Sequence, residues 1–382
     1  MKESLGFLHT SVDRGVDGRM RRLACFENFG GNIMLGGKRV IGGLVVGLAT
    51  LLTVCAVPTV AVTPALASGP AVGATYVALG DSYSSGEGLG QFQAGTDTST
   101  GTKKNTCHRS ESYAYPDLSP TIVLPEVKSR AFWACSGATT IDMSNVPGAS
   151  NTPKEYGQPE QVATVGSATK YISVTVGGDD LGFSGIGLAC TTLEVGNQVI
   201  RLSKTSCSNQ LKASEGGIPA LQTRLTNLYM ELLSQAAEGA ELVVAGYPRV
   251  LPSSFKGVGK FEGQPFCTFD YFKGVGDIGM VEANAKKVAT FETNLNTAIQ
   301  KAVSAASEEF PGRVKYSNIY PTSVPRNCAG TTPNATVTGF ELSPGRHGTG
   351  PYHLISTATF HPTKVGQKVY AKAIENTFRS FK

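Results

Sequence analysis

The sequence predicts an α/β domain in which helices cover a parallel sheet of about five strands. Three observations lead there. Short runs rich in β-branched and aromatic residues recur along the chain, as strands do. Amphipathic stretches with helical spacing separate them. The runs are near-continuously apolar rather than alternating, which suits strands buried on both faces.

The elements follow in order. "TYVALG" (75–80), "YISVTVGG" (171–178), "ELVVAGY" (241–247) and "VKYSNIY" (314–320) read as strands, and "KSRAFWAC" (128–135) as a weaker fifth. Leu221, Leu225, Leu228 and Leu232 mark one helix face, with Gly239 where the helix should stop. Val281, Val288, Phe291, Leu295 and Ala298 mark a second helix, and Val365, Val369, Ala373 and Ile374 a third at the C-terminus. Residues 86–127 and 321–357 are rich in Gly, Pro, Ser and Thr. Loops of that length inside a domain carry function when they are ordered, so both are read as walls of a substrate cleft.

Ahead of this domain, residues 1–67 read as an extension and signal peptide. Lys38 and Arg39 precede the apolar run "VIGGLVVGLATLLTVCAVPTVAV", and Ala65-Leu66-Ala67 forms an A-x-A site, so cleavage is expected after Ala67. Met34 is the expected start, which leaves 1–33 as an over-extension, and 68–382 is one domain. An uncleaved anchor is the alternative, since the run could span a bilayer of ~30 Å. Cysteine usage agrees with export. Beyond Cys25 and Cys55 stand Cys107, Cys135, Cys190, Cys207, Cys267 and Cys328. Six cysteines in an exported chain suggest three disulfides with fifteen connectivities open. The sequential one keeps each bridge local. No Cys-x-x-Cys pair favours zinc. A net charge of +5 with 16% charged residues is no footprint of a nucleic-acid binder.

In such sheets, ligands bind beyond the C-terminal ends of the strands. Ser82 follows the first strand in "YVALGDSYSSGEG", and Gly178-Asp179 follows a later one. A serine attacks an acyl carbon when a base takes its proton and donors hold the oxyanion. His361, ahead of Pro362 and the final helix, is the candidate base. His108 reads as a loop or rim residue, and His347 and His353 sit in a glycine-rich loop. Asp81 is expected to organise the turn before Ser82, and Ser84, Ser85 and Glu87 to be loop residues. Asp180 is expected to cap the segment from Leu181, and Trp133 to be core.

Gly80-Asp81-Ser82, Cys135-Ser136-Gly137-Ala138, "VGGDDLGF" (176–183) and His361-Pro362 stand in the order of the SGNH (GDSL) hydrolases. The chain resembles the secreted bacterial three-disulfide esterase/lipase branch from about Tyr76 to its C-terminus, including "AGYPRVLP" (245–252). The resemblance implies a flavodoxin-like three-layer α/β/α sandwich that hydrolyses acyl esters without metal or organic cofactor. It implies Ser82 as nucleophile and His361 as general base. It also implies an oxyanion hole from the backbone N–H groups of Ser82 and Gly137, plus the residue at Asp179. The sequential pairing, Cys107–Cys135, Cys190–Cys207 and Cys267–Cys328, is likewise what that branch resembles.

Two departures stand out. Asp179 occupies the position of an oxyanion-donating Asn, and an ionised carboxylate there would repel the oxyanion. Ala358 occupies the position of an acid three residues before the histidine, so its backbone carbonyl is expected to orient the imidazole. The expected partner is a small-molecule or lipid ester, met by a secreted monomer with at most transient contact with a lipid surface. The competing expectation, prompted by Asp179, is a catalytically impaired relative that binds acylated lipid or polysaccharide.

Overall fold

The strand that precedes Ser82, β1 (Tyr76–Gly80), is buried at every position, as a central strand must be. The computed structural model describes residues 74–381 except 99–101, 103, 119–126, 145–156, 196–197, 253–254, 256–258, 273–275, 324, 326–327, 329–333, 340–347 and 350–354. The extension and signal peptide expected over 1–67, and His347 and His353, lie outside the described residues. The chain divides into Met1–Val62 and Thr63–Lys382, and all described residues belong to the second unit.

After β1 come α1 (Ser82–Ser85), α2 (Tyr115–Leu118), β2 (Arg130–Phe132), α3 (Thr140–Met143) and β3 (Tyr171–Thr175). Next are α4 (Phe183–Cys190), β4 (Thr192–Val195), β5 (Gln198–Arg201), α5 (Cys207–Gly216), α6 (Ile218–Gln235) and β6 (Glu241–Ala245). Then follow β7 (Lys260–Phe261), β8 (Gln264–Phe272), β9 (Gly276–Val281), α7 (Glu282–Glu309), β10 (Val314–Ser317), the short pair β11 (Gly348–Thr349) and β12 (Ile355–Ser356), and α8 (Lys364–Phe378).

The central sheet has five strands in the order β10-β6-β3-β1-β2, every neighbouring pair parallel. Each of the five lies within a segment whose apolar run predicted it. Counted along the chain, these strands stand 2-1-3-4-5, the flavodoxin-like order, whose switch point falls between β1 and β3. Helices cover the sheet in two layers. On one side α6 packs along α7, burying Leu221, Leu225, Leu228 and Leu232 as their spacing predicts. On the other, α8 packs with α2, and Phe378 meets the ring of Tyr76 edge-on. Fully burying a leucine-sized side chain is worth about 2 kcal/mol, so these faces rather than propensity hold the helices.

Three details differ from expectation. The buried face of α8 runs through Gln367, Tyr370, Ala371, Ile374 and Phe378, while Val365 is exposed and Val369 half-buried. The apolar spacing was read one position early, because Tyr370 and Gln367 turn inward to make hydrogen bonds. Helix α6 ends at Gln235, and Gly239 lies in the turn beyond. A second, antiparallel sheet, β5-β4-β9-β8-β7, was not anticipated, since its half-buried strands lack the near-continuous apolar signature.

Three disulfides join sequential cysteines. Cys107–Cys135 ties the loop after α1 to the end of β2, Cys190–Cys207 joins α4 to α5, and Cys267–Cys328 joins β8 to the loop after β10. No helix among the described residues is long and apolar enough to cross a membrane.

Candidate active site

The turn carrying Ser82 is fastened from several sides. A Cβ on Gly80 would stand 2.3 Å from the Thr175 carbonyl oxygen, so only glycine lets β1 leave the sheet this close to β3. Gln161 holds the Gly80 peptide at both ends, accepting from its N–H at 2.6 Å and donating to its carbonyl at 2.9 Å. Asp81 then caps α1, accepting the Tyr83 N–H at 3.0 Å. Its carboxylate also accepts from the Thr175 hydroxyl at 2.8 Å and from the Tyr247 hydroxyl. Asp81 is therefore fully engaged in organising the turn, as the sequence suggested. Burial pushes its pKa up to about 6, against the lowering effect of those three donors.

Ser84 and Ser85, expected in a loop, are buried in α1 instead. Ser84 sits in a buried chain of hydroxyls, 2.6 Å from Thr175 Oγ1 and 3.0 Å from the Tyr115 hydroxyl. A polar residue so close to a strand end reads as loop, but here it satisfies other buried hydroxyls.

His361 reaches this turn from the loop before α8, with Nε2 2.8 Å from Ser82 Oγ. Its own backbone carbonyl accepts from the Thr338 N–H at 2.9 Å and the Thr338 hydroxyl at 2.7 Å. Tyr83 donates its hydroxyl to the Phe360 carbonyl at 2.8 Å, and its ring lies 5.3 Å from the imidazole. Burial lowers the His361 pKa below the ordinary histidine value, opposed by the charge of Glu87 and the main chain of Thr357 and Thr359. The ring is thus neutral near pH 7 and able to accept a proton.

The role expected of Ala358 needs correction. Its carbonyl accepts the backbone N–H of His361 at 3.0 Å, shaping the turn. The imidazole Nδ1 is buried, and the main-chain groups that act on the ring are those of Thr357 and Thr359 rather than that of Ala358. The backbone folds into a tight turn from Ala358 to His361, which uses that acceptor for the chain itself.

Across the switch point, Gly178 donates its N–H to the Tyr247 hydroxyl at 2.8 Å, which brings the Asp179 turn beside Asp81. The charge of Asp179 reaches both Tyr83 and Tyr247, raising their pKa values after the larger effect of burial. Asp180 does not cap the segment from Leu181. It accepts the Thr140 N–H at 2.9 Å and pairs with Arg224 at 3.1 Å, bracing α3 and α6 behind the site. Gly137 lies in the turn after Cys135, where Ser136 donates its N–H to the Cys107 carbonyl at 3.0 Å. Trp133 is partly buried, with the Arg109 guanidinium 5.5 Å above its ring.

Sequence reasoning missed Tyr83 and Tyr247 as parts of the site. Tyr247 follows the C-terminal end of β6, the same signal that singled out Ser82 and Asp179. Tyr83 had no signal beyond adjacency. Among the described residues, no group of three or more His, Cys, Asp or Glu is arranged to hold a metal ion.

No family model matches the chain. Lipase 1 of Streptomyces coelicolor is 26% identical over 294 residues, 76% of this chain and 82% of that protein. A lipase of Streptomyces rimosus is 33% identical over 175 residues, 46% of this chain and about half, 52%, of its own length. The chain is similar to these Streptomyces lipases. The α/β fold is shared with two crystal structures. Phospholipase A1 from Streptomyces albidoflavus NA297 superposes with a TM-score of 0.53 at 23% identity, over 80% of this chain and 98% of that one. The extracellular lipase of Streptomyces rimosus gives 0.50 at 23% identity, over 80% and 99%. At that identity the two structures speak for the fold alone.

Proposed function

We propose that the chain is an exported carboxylic ester hydrolase that works through an acyl-enzyme on Ser82. The observation that carries this is the 2.8 Å approach of His361 Nε2 to Ser82 Oγ at the switch point of the sheet. His361 takes the Ser82 proton as Oγ attacks the acyl carbon. The backbone N–H groups of Ser82 and Gly137 serve the developing oxyanion. When the tetrahedral intermediate collapses, the alcohol leaves with the proton from His361. Water, deprotonated by the same imidazole, then attacks the acyl carbon and frees Ser82. The substrate is a small-molecule or lipid ester, in keeping with relatives named as lipases. Removal of residues 1–67 after Ala67 releases the domain 68–382 as a monomer that meets lipid surfaces transiently.

One observation favours a second reading. By the motif order Asp179 takes the position of an oxyanion-donating Asn, which suits a relative that binds acylated lipid or polysaccharide and turns it over slowly or not at all. A serine-reactive phosphonate separates the two. The mature protein is treated across pH 4 to 9 and digested, and the adduct is located by mass spectrometry. An adduct on Ser82 supports the hydrolase, and its absence at every pH supports the binder.

A further inference from the structure

Glu87 was expected to be a loop residue, yet it is only 4% exposed and sits between the parts of the site. Its backbone N–H donates to the Ser82 carbonyl at 3.2 Å. The next residue, Gly88, packs so tightly on the turn before His361 that a Cβ there would stand 2.4 Å from the Ala358 Cα. The Glu87 carboxylate is 2.6 Å from His108 Nδ1 and accepts the Gly88 N–H at 3.0 Å, and the side chain of Ser136, the neighbour of Gly137, favours its ionised form. The Glu87-Gly88 segment therefore binds the Ser82 turn through its main chain and packs on the turn before His361, with the Glu87 carboxylate buried beside them.

His108 is held as carefully. Its Nε2 lies 3.3 Å from Asp97, and Phe92 stacks on its ring at 4.6 Å. Burial would raise the Glu87 carboxyl, but the hydrogen bond and charge of His108, then the charge of His361, hold it below the usual carboxylate range. Burial would lower His108, but Glu87 and Asp97 raise it. Each partner thus favours the charged form of the other. The charged or titratable groups facing Glu87 are His108 and His361; those acting on His361 are Glu87 and His108, with the Tyr83 ring beside it. Of the two charges on the imidazole, that of Glu87 is the larger, and it favours the imidazolium.

We propose that Glu87 is a positioning residue for His361, supplying the negative charge toward its imidazolium that Ala358 does not carry. The inference rests on the Ser82–His361 reading. In the reaction, His361 gains a proton as Ser82 attacks, so a fixed anion nearby lowers that barrier without exchanging a proton itself. His108 keeps the anion ionised in a buried position.

The test is the pH profile of kcat/KM for p-nitrophenyl acetate with the mature protein and its variants. With Glu87→Gln, which keeps the size and hydrogen-bonding reach, the acid limb moves down by about one pH unit and the plateau falls about tenfold. Glu87→Asp keeps the charge and stays near the wild-type limb. The midpoint of a limb does not depend on how much protein is folded, so partial misfolding does not blur the result. An unmoved limb in Glu87→Gln, with Ser82→Ala and His361→Ala both inactive, overturns the inference and leaves Glu87 as loop support. Wild-type activity in Ser82→Ala or His361→Ala instead overturns the reading beneath it.

Discussion

Tyr83 and His361 are joined through Phe360: the Tyr83 hydroxyl donates to the Phe360 carbonyl at 2.8 Å, one residue before the imidazole that approaches Ser82. The residue after the proposed nucleophile thus anchors the loop of the proposed base, across 277 positions of sequence. Tyr83→Phe keeps the ring against Tyr247 and removes only this bond. Loss of one neutral hydrogen bond costs about 1 kcal/mol of stability. The effect on catalysis is larger, because small displacements of a reacting group are costly. We expect kcat to fall about tenfold with KM little changed. Steady-state kinetics beside a urea melt measure both, and a stability loss with unchanged kcat would show that the anchor does not set the dyad.

The Asp179 turn faces the same tyrosines. Asp179→Asn exchanges a carboxylate for an N–H donor where the family pattern has one. A single oxyanion donor is worth about 100-fold in rate, so ester hydrolysis at pH 7 should rise by about tenfold or more. Unchanged or lower rates would mean that Asp179 is no misplaced oxyanion ligand.

The parallel sheet was legible because its signal is local. Each of its strands is an apolar run that remains buried whichever way the helices pack. The positions of Ser82 and Asp179 just beyond β1 and β3 were legible for a related reason, since each follows one of those runs. The antiparallel sheet was not, because strands such as "TLEV" (192–195) are half-buried and gain their stability from partners distant in sequence. Glu87 and His108 read as loop residues for the same reason. Each is an ordinary polar residue until the Cys107–Cys135 bond and the turn after α1 bring them together. The Ala358 carbonyl was assigned to the imidazole from pattern alone, whereas the main chain that acts on the ring is that of Thr357 and Thr359.

Glu292 gives the stability of the domain a pH dependence. It is 2% exposed on α7, accepts one weak bond from the Val250 N–H at 3.4 Å, and its second oxygen has no partner. Burial pushes its pKa up to about 8, with the Val250 bond and the Arg249 charge opposing. A folded-state pKa raised above the unfolded value means that the folded protein binds more protons between the two. Stability is then fully present below about pH 4.5 and is lost as pH rises toward 8. Glu292→Gln removes that loss, so its advantage over wild type grows with pH and reaches a few kcal/mol by pH 8. Urea midpoints measured from pH 5 to 8 decide it. A constant difference between the two proteins would show that Glu292 is ionised throughout.

The disulfides should rank by the chain they enclose. Cys267–Cys328 closes 61 residues and Cys190–Cys207 closes 17. A longer loop loses more freedom in the unfolded chain, and the logarithmic dependence makes the difference about 1 kcal/mol in favour of the longer. Replacing both cysteines by serine in each pair, and comparing urea unfolding at one pH, isolates the two contributions. The Cys267/Cys328 variant should be the less stable. It should also lose more activity, because its bond ties β8 to the loop after β10, and Phe269 on β8 meets the ring of Phe360 beside His361 at 5.9 Å. Equal losses of stability would mean that strain or contacts in the folded state outweigh the loop entropy. Full activity in the Cys267/Cys328 variant would show that the antiparallel sheet holds Phe360 without the bridge.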